Sequence, residues 1–348
     1  MSDLDLQIGI ESEMFMYLKK DKSPGLKLIG QRDIQPFTNI LVPLYNEERG
    51  ENLLHADFSR DAGHQPSHTG GRKWNVATDD GMGDMDLESD SQDVEGYGLE
   101  FASPIFDFCR DGIWRQEVKD HWDTLLLHGK IAIDNMCATH VHVSPRAELR
   151  WSLKQLKQMA QAVLYFEKAF QAIWAPSRRE HKFTRKNKAQ NYKLEKLEFG
   201  ECCKLIEACD DIDHLVALMQ PPASSQYNDT LQSDRDYMWN FENTKKDKIT
   251  GTIEFRCAPG TLTADHCLIW VELAVSFVQA AAQYGTKAHL ETYKPADDVE
   301  CLERFILQAG RKGINDPDRL AIVFHGQPVE GDEEMTDIFE KRIKQFGR

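Results

Sequence analysis

The sequence has no excess of basic residues and no long apolar run, and each absence excludes a class of protein. Its 348 residues contain 42 Lys and Arg against 57 Asp and Glu, a formal net charge of -15 at pH 7. A protein that binds the phosphate backbone of nucleic acids carries the opposite balance. No run of about eighteen apolar residues, the signal of a membrane-spanning helix, occurs. The N-terminal sequence MSDLDLQ also lacks the basic and apolar regions of a secretory signal. We therefore expect a cytoplasmic protein with no nucleic-acid or membrane partner.

The eight cysteines include no CxxC pair and follow no regular spacing. This pattern does not indicate a zinc ribbon or a disulfide framework, so we expect reduced, packed thiols. The chain is 41% hydrophobic and 28% charged, which suits a globular protein with a large core. No internal repeat or low-complexity linker divides it, and one α+β domain covering residues 1–348 is predicted.

Hydrophobic periodicity predicts strands and helices around one long irregular segment. Strands are expected at residues 6–18, 74–81, 98–106, 138–145, 234–241 and 251–259. Helices are expected at residues 111–130, 149–174, 200–219, 263–285, 297–312 and 333–346. The stretch from DKSPG to about residue 98 is polar and poorly patterned. Its part from about 57 to 97 is predicted to be a loop insert that closes over a site, and helices at about 297–346 are expected to end the chain.

Three predicted strands carry ionisable side chains at alternate positions. These are Glu11 and Glu13 in GIESEMF, His140 and His142 in THVHV, and Glu254 and Arg256 in TIEFR. Successive strand side chains point to opposite faces, so each pair shares one face and the apolar neighbours take the other. The pattern predicts a sheet with one dry face packed on helices and one face that forms the floor of an active site.

Charges on a buried sheet face need a compensating partner, because desolvating an ion is costly unless it is paired or ligated. Neighbouring glutamates repel each other, and a hard divalent cation such as Mg²⁺ relieves that repulsion. The guanidinium of Arg256 cannot bind a cation and suits phosphate or carboxylate. Acids, imidazoles and an arginine on one surface are the groups that ATP with Mg²⁺ requires.

Each motif alone also has a structural explanation. The ExE pattern occurs at solvated sheet edges, the HxH pattern is as consistent with structure as with binding, and Glu254 with Arg256 is consistent with a plain ion pair. A metallohydrolase is another interpretation of HVH, but the further ligands of such an enzyme do not follow in HVHVSP. The set of three motifs favours a functional site more strongly than any one of them.

Four segments, GIESEMF, GLEFASPI, THVHVS and TIEFRCAPGTL, resemble in this order the amidoligase family, a relative of glutamine synthetase and glutamate–cysteine ligase in the carboxylate–amine ligase superfamily. The resemblance extends from about residue 6 to about residue 285. WNVATDDG also resembles the W-x-V-x-x-D segment of the family, although Met82 stands where the family has serine. The resemblance implies a curved antiparallel sheet forming a funnel of the glutamine synthetase catalytic-domain type, backed by helices, with ATP and Mg²⁺ or Mn²⁺ inside.

The resemblance also implies roles for individual residues. His142 is expected to contact phosphate, and Arg256 to meet the transferred phosphoryl group. In the basic stretch that follows APS, Arg179 and Arg185 are candidate phosphate- or substrate-binding residues, although a solvated basic face explains most of its lysines as well. The implied metal ligands are Glu11, Glu13, Glu100, His140 and Glu254.

The expected reaction joins a small-molecule carboxylate to an amine. ATP activates the carboxylate as an acyl phosphate, which the amine then attacks. Deprotonating the amine needs a base, and Asp79 or a glutamate of the 57–97 loop is the candidate. Two alternatives stay open: a guanidino-kinase-like phosphotransferase, and a catalytically silent protein that binds ATP and metal. The motifs do not predict which amino acid or peptide-like acid reacts, or the oligomeric state.

Overall fold

A computed structural model describes most of the chain as a mixed α+β structure with helices backing one large, mostly antiparallel sheet. The described residues are 5–19, 21–22, 34–57, 72–78, 97–109, 112–146, 149–174, 176–179, 181, 183–222, 234–248, 250–310 and 317–324. The predicted fold class is confirmed at this level.

The sheet is built around one long central strand. The strands are β1 (Leu6–Leu18), β2 (Leu54–Ala56), β3 (Trp74–Thr78), β4 (Tyr97–Ala102), β5 (Phe106–Phe108), β6 (Gly129–Ala132), β7 (Ala138–Pro145), β8 (Trp239–Asn240) and β9 (Ile253–Pro259). Their order is β2-β3-β4-β1-β7-β9-β8, and β5 and β6 also pair with β1. The β2–β3 pair is parallel, and β1 is antiparallel to all four of its partners.

The described helices pack on the sheet or on one another. They are α1 (Gln35–Arg49), α2 (Trp114–His128), α3 (Leu153–Ala172), α4 (Pro176–Arg179), α5 (Phe199–Ala208), α6 (Ile212–Met219), α7 (Ala264–Tyr284), α8 (Lys287–Leu290), α9 (Val299–Gly310) and α10 (Pro317–Phe324). Helix α7 contacts β7 and packs against α2, α3 and α9, so it lies at the centre of the helical layer.

The alternation along the strands places the main core on one face of the sheet. Ile10 and Met14 of β1, Val141 of β7 and Phe255 of β9 are fully buried in one apolar cluster together with residues of α3 and α7. Burial of this face provides the main free energy that holds helices and sheet together. The polar members of the same strands therefore project to the other face.

Helix α7 is long and apolar enough to cross a membrane by length and composition alone. Most of its apolar side chains are nevertheless buried inside the protein, against the sheet and the other helices. Its N-terminus is capped by Thr263, whose hydroxyl accepts a hydrogen bond from the N–H of His266. This burial is typical of the central helix of a globular core.

Several predicted elements are confirmed. The strands at 6–18 and 138–145 have the predicted bounds, and β3, β4, β8 and β9 lie in or beside their predicted segments. Helices α2, α3, α7 and α9 begin and end within about four residues of prediction. Of the predicted loop insert, the structure describes only residues 57, 72–78 and 97, and the predicted helix at 333–346 lies outside the described residues.

Helix α1 is the main correction, because the polar stretch before residue 98 is not irregular throughout. Pro36 occupies the first turn of the helix, and Phe37, Leu41 and Tyr45 form a narrow buried stripe at four-residue spacing. The helix ends at Gly50, whose φ of 65° lies in the left-handed region. Thr38 is buried beside this stripe, and polar residues lie between its apolar members, so the sequence did not display the periodicity clearly.

The single helix predicted at residues 200–219 is also wrong, because two helices occupy this segment. Helix α5 ends at Cys209, which has an extended backbone. Asp211 then starts α6, since its side chain accepts a hydrogen bond of 2.8 Å from the N–H of His214. An N-cap aspartate within an apolar pattern is the signal that divides the two. Strand β6 and helix α10 were likewise not predicted.

Candidate active site

The register of the sheet brings the alternate polar residues of β1, β7 and β9 onto one face. Glu11 lies directly opposite His140, and His142 lies directly opposite Glu254. Opposed residues of antiparallel strands project to the same side, so these four side chains converge. The β1 residue opposite His142 is Gly9, which places no side chain against the imidazole.

Glu11 contacts both histidines. Its Oε2 atom lies 3.2 Å from Nδ1 of His140, and its Oε1 atom lies 3.1 Å from Nε2 of His142. The exposed fractions are 2% for Glu11 and 4% for each histidine. One carboxylate is therefore shared between two imidazoles in surroundings that exclude most solvent.

Glu254 is the second shared carboxylate. Its Oε1 atom accepts a hydrogen bond from Nη1 of Arg256 and lies 3.7 Å from His140 Nδ1 and 3.8 Å from His142 Nε2. Its Oε2 atom accepts a hydrogen bond of 2.6 Å from Nδ2 of Asn240. The ion pair considered for Glu254 and Arg256 is thus present, but it is one part of a larger cluster.

Glu13 and Glu100 extend the acidic face toward β4. They lie opposite each other in the β1–β4 register, and both side chains are buried. Glu13 Oε2 accepts a hydrogen bond of 2.8 Å from the N–H of Ala138, and Glu13 Oε1 lies 3.7 Å from His140 Nε2. The predicted ligand residues of β1, β7 and β9 are therefore joined by direct contacts, and Glu100 adjoins them through Glu13.

The cluster perturbs the pKa values of its own members. Burial by itself would raise the pKa of Glu254, but Arg256 and the two histidines lower it to about 2. Burial would lower the pKa of His142, but Glu11 and Glu254 outweigh that effect and raise it. The pKa of His140 is lowered, first by burial and then by Arg256. The two imidazoles therefore differ in the ease with which they take up a proton.

The chemistry of the cluster fits a divalent cation. One ligand atom each from Glu11, His142 and Glu254 lies within 4.8 Å of the others. Together with Glu13 and Glu100, these residues bury several carboxylates on one face, so a divalent cation would reduce their mutual repulsion. Carboxylate oxygens suit both Mg²⁺ and Mn²⁺.

The contacts that the described residues show for two predicted arginines lie outside the cluster. Arg179 Nε donates a hydrogen bond of 2.8 Å to the carbonyl oxygen of Trp174. Arg185 forms an ion pair of 2.9 Å with Asp234, and its guanidinium lies over the ring of Tyr237. The contacts of Arg185 attach the basic segment near the β8 edge of the sheet. The candidate base Asp79 lies outside the described residues.

Arg178, the neighbour of Arg179, was not predicted. Its buried side chain donates hydrogen bonds to the carbonyl oxygens of Asn135, Cys137 and Ala258, and burial lowers its pKa. These bonds connect the segment before β7 with the end of β9, the two strands that carry HxH and ExR. The run of basic residues after APS pointed to this region of the chain. The spacing of those residues does not show which arginine is buried and which are solvated.

Asn240 and Thr252 were also missed, although both touch the cluster. Asn240 belongs to the two-residue strand β8, which is too short to display alternation. Thr252 Oγ1 lies 3.3 Å from Nδ1 of His142, on the side of the ring away from Glu11. Asparagine and threonine are common in ordinary polar segments, so no sequence signal singled them out.

Fold and site together define an α+β protein with a buried carboxylate, imidazole and guanidinium cluster on one face of a mostly antiparallel sheet. A family model described as "Putative amidoligase enzyme" matches residues 5–278. The match contains every described strand and extends into α7, so the chain belongs to this amidoligase family and the predicted resemblance is confirmed. A comparison with curated proteins gives no match.

Proposed function

We propose that the protein is an ATP- and Mg²⁺-dependent ligase that joins a small-molecule carboxylate to an amine. Membership of the amidoligase family supports a ligase. The observation that carries the proposal is the buried cluster in which Glu11, both histidines, Glu254 and Arg256 meet. Phosphoryl transfer depends on metal ligands and phosphate contacts held in one place, and this cluster supplies residues of both kinds.

The proposed ligands of Mg²⁺ or Mn²⁺ are Glu11, Glu13, Glu100, His140 and Glu254. His142 Nε2 faces both Glu11 and Glu254, so this residue would either contact phosphate or act as a ligand beside them. A bound divalent cation would supply charge neutralisation at the phosphate oxygens of ATP. Glu13 is held for this role by its hydrogen bond from the backbone of Ala138.

Arg256 is proposed to hold the phosphoryl group during transfer. Its Nη1 atom donates to Glu254, while its buried Nε atom has no hydrogen-bond partner within the described ranges of the chain. A phosphate oxygen would satisfy such a donor, because guanidinium groups bind phosphate through paired N–H groups. Contacts of Arg179 and Arg185 with nucleotide or substrate also remain proposals, and they would require both side chains to share their present acceptors.

The proposed reaction has two steps, with ATP as co-substrate. An oxygen of the substrate carboxylate attacks the γ-phosphorus, the bond to the β–γ bridging oxygen breaks, and ADP leaves. The amine nitrogen then attacks the acyl carbon, phosphate leaves with the former carboxylate oxygen, and the amine proton passes to a base. Asp79 is the proposed base. The products are an amide, ADP and phosphate.

We further propose that the sheet forms a funnel of the glutamine synthetase catalytic-domain type within one domain covering residues 1–348. The predicted insert from about 57 to 97 contains β3, which is fixed in the sheet, and the rest of the insert would close over this funnel and keep water from the acyl phosphate. A cytoplasmic location without a nucleic-acid or membrane partner agrees with the formal charge of -15 and with the burial of α7.

The function is tested by incubating the protein with ATP, Mg²⁺ and mixed amino acids and analysing the products by mass spectrometry. We expect Mg²⁺-dependent ADP together with condensed products that have lost water, and hydroxamates when hydroxylamine is added. Glu13→Gln should abolish both. ADP with a phosphorylated guanidine and no amide would support a phosphotransferase instead, and ATP binding without any product would support a silent protein.

A further inference from the structure

Asn240 contacts the cluster from the neighbouring strand β8. Its Nδ2 atom donates a hydrogen bond of 2.6 Å to Oε2 of Glu254, and both side chains are fully buried. The other carboxylate oxygen, Oε1, faces His140, His142 and Arg256. One oxygen of Glu254 is therefore occupied by an amide, and the other is presented to the cluster.

Gln220 holds the Asn240 amide in one orientation. Gln220 Nε2 donates a hydrogen bond of 2.9 Å to Asn240 Oδ1, and the N–H of Glu242 donates one of 2.8 Å to the same oxygen. The amide of Gln220 is itself fixed, because Nε2 also donates to the carbonyl oxygen of Asp234 and Oε1 accepts from the N–H of Phe241. A reversed Asn240 amide would lose both donors and place its oxygen against a carboxylate.

We propose that Asn240 is a positioning residue that keeps Glu254 as a one-oxygen ligand of the divalent cation, with Gln220 as its support. This inference rests on the proposed function of the cluster. The hydrogen bond to Oε2 opposes rotation of the carboxylate, so Oε1 stays directed at the two histidines. A neutral amide provides this donor without adding another cation beside Arg256, and such partners of a ligand tune its affinity for metal.

The test compares Mn²⁺ binding by wild type, Asn240→Ala and Asn187→Ala, with free Mn²⁺ measured by electron paramagnetic resonance. Asn187 is a matched control, since it is a fully buried asparagine that bonds the N–H and the carbonyl oxygen of Trp239 on the same strand. Asn240→Ala should weaken Mn²⁺ binding about 10- to 100-fold, the usual effect of removing a group that orients a ligand. Asn187→Ala removes two hydrogen bonds to the backbone of Trp239 and none to Asn240 or Glu254, so its affinity should equal that of wild type.

Circular dichroism and thermal unfolding identify which variants are folded. If Asn240→Ala does not fold, Gln220→Leu is measured in its place, because it removes one of the two donors that orient Asn240. This variant should also weaken Mn²⁺ binding, by a smaller factor. Unchanged affinity in the folded variant, or an equal loss in Asn187→Ala, would overturn the role of Asn240. A wild-type protein that binds no Mn²⁺ would overturn the metal site itself, and this inference with it.

Discussion

Each of the carboxylates Glu11 and Glu254 has several partners, and this crowding distinguishes the cluster from an ordinary ion pair. Glu254 has Arg256 and Asn240 as hydrogen-bond donors, while Glu11 is shared by two histidines. Such a site is costly to keep without a cation, because desolvated like charges repel. Metal binding should therefore stabilise the folded chain, and the loss of one carboxylate should remove that stabilisation.

Glu11→Gln tests this consequence directly. In wild type, Mn²⁺ at one hundred times its dissociation constant should raise the free energy of unfolding by about 2.7 kcal/mol, because it binds the folded state only. Glutamine has the same shape but lacks the charge, so the Mn²⁺-induced rise in melting temperature should vanish. Differential scanning fluorimetry with and without Mn²⁺ measures the effect.

Glu167→Gln is the matched control for that experiment. Glu167 is also buried, but its carboxylate accepts hydrogen bonds from the N–H groups of Lys188 and Ala189, away from the cluster. This variant should have a lower melting temperature than wild type and yet keep the full Mn²⁺-induced rise. An equal rise in Glu11→Gln and wild type would contradict the assignment of Glu11 as a ligand.

At the scale of helices and strands, alternation predicted which residues share a face, but it did not predict how the strands are aligned. Thr139 pairs with Ala258 whereas Val141 pairs with Phe255, so β9 contains one more residue than β7 across this interval. Two residues of β9, Arg256 and Cys257, therefore lie opposite the single residue His140 of β7. A bulge of this kind depends on the pairing of two distant segments, so neither segment reveals it alone.

Short elements account for much of what the sequence did not reveal. Strand β8 has two residues, yet it contributes Asn240, and α1 buries only three apolar side chains, Phe37, Leu41 and Tyr45, together with Thr38. The long elements β1, β7, α3 and α7 were predicted because each repeats its pattern several times. The alternate polar residues of the long strands could therefore be predicted from the sequence. Asn240 of β8 and Arg178 of the basic segment, which hold these strands and their side chains in place, could not.

Helix α3 provides a prediction at this scale. Ser152 Oγ accepts a hydrogen bond of 3.2 Å from the N–H of Gln155, and the Gln155 side chain accepts one of 3.0 Å from the N–H of Ser152. Ser152→Ala removes half of this capping box and should lower the free energy of unfolding by about 1 kcal/mol. Urea unfolding measures the loss. Mn²⁺ affinity should be unchanged, and an unaltered urea midpoint would contradict the role of the cap.

At the scale of the whole molecule, a buried histidine outside the cluster links α1, α2 and β3. The ring of His121 stacks on Trp74 with ring centroids 3.7 Å apart, and its Nδ1 atom is 2.8 Å from the hydroxyl of Tyr45. Burial, with a smaller contribution from Arg49, lowers the pKa of His121 well below its ordinary value of 6.5. The folded chain therefore keeps this imidazole neutral under conditions in which the unfolded chain protonates it.

The consequence is a specific loss of stability in acid. The unfolded state binds a proton on His121 near pH 6.5 and the folded state does not, so the free energy of unfolding falls as pH decreases below that value. His121→Phe keeps an aromatic ring against Trp74 but cannot titrate. Urea unfolding from pH 7.5 to 5 should show a wild-type slope steeper by up to about 1.4 kcal/mol per pH unit. Parallel curves for the two proteins would contradict the neutral state of His121.

The chemistry of the whole molecule is tested most directly by following one oxygen atom. Amino acids labelled with ¹⁸O in the carboxylate are incubated with the protein, ATP and Mg²⁺, and the released phosphate is analysed by mass spectrometry. We expect one ¹⁸O atom in the phosphate, because the carboxylate oxygen that attacks the γ-phosphorus leaves with it when the amide forms. Unlabelled phosphate released together with ADP would show that water is the nucleophile, and it would contradict the proposed ligase.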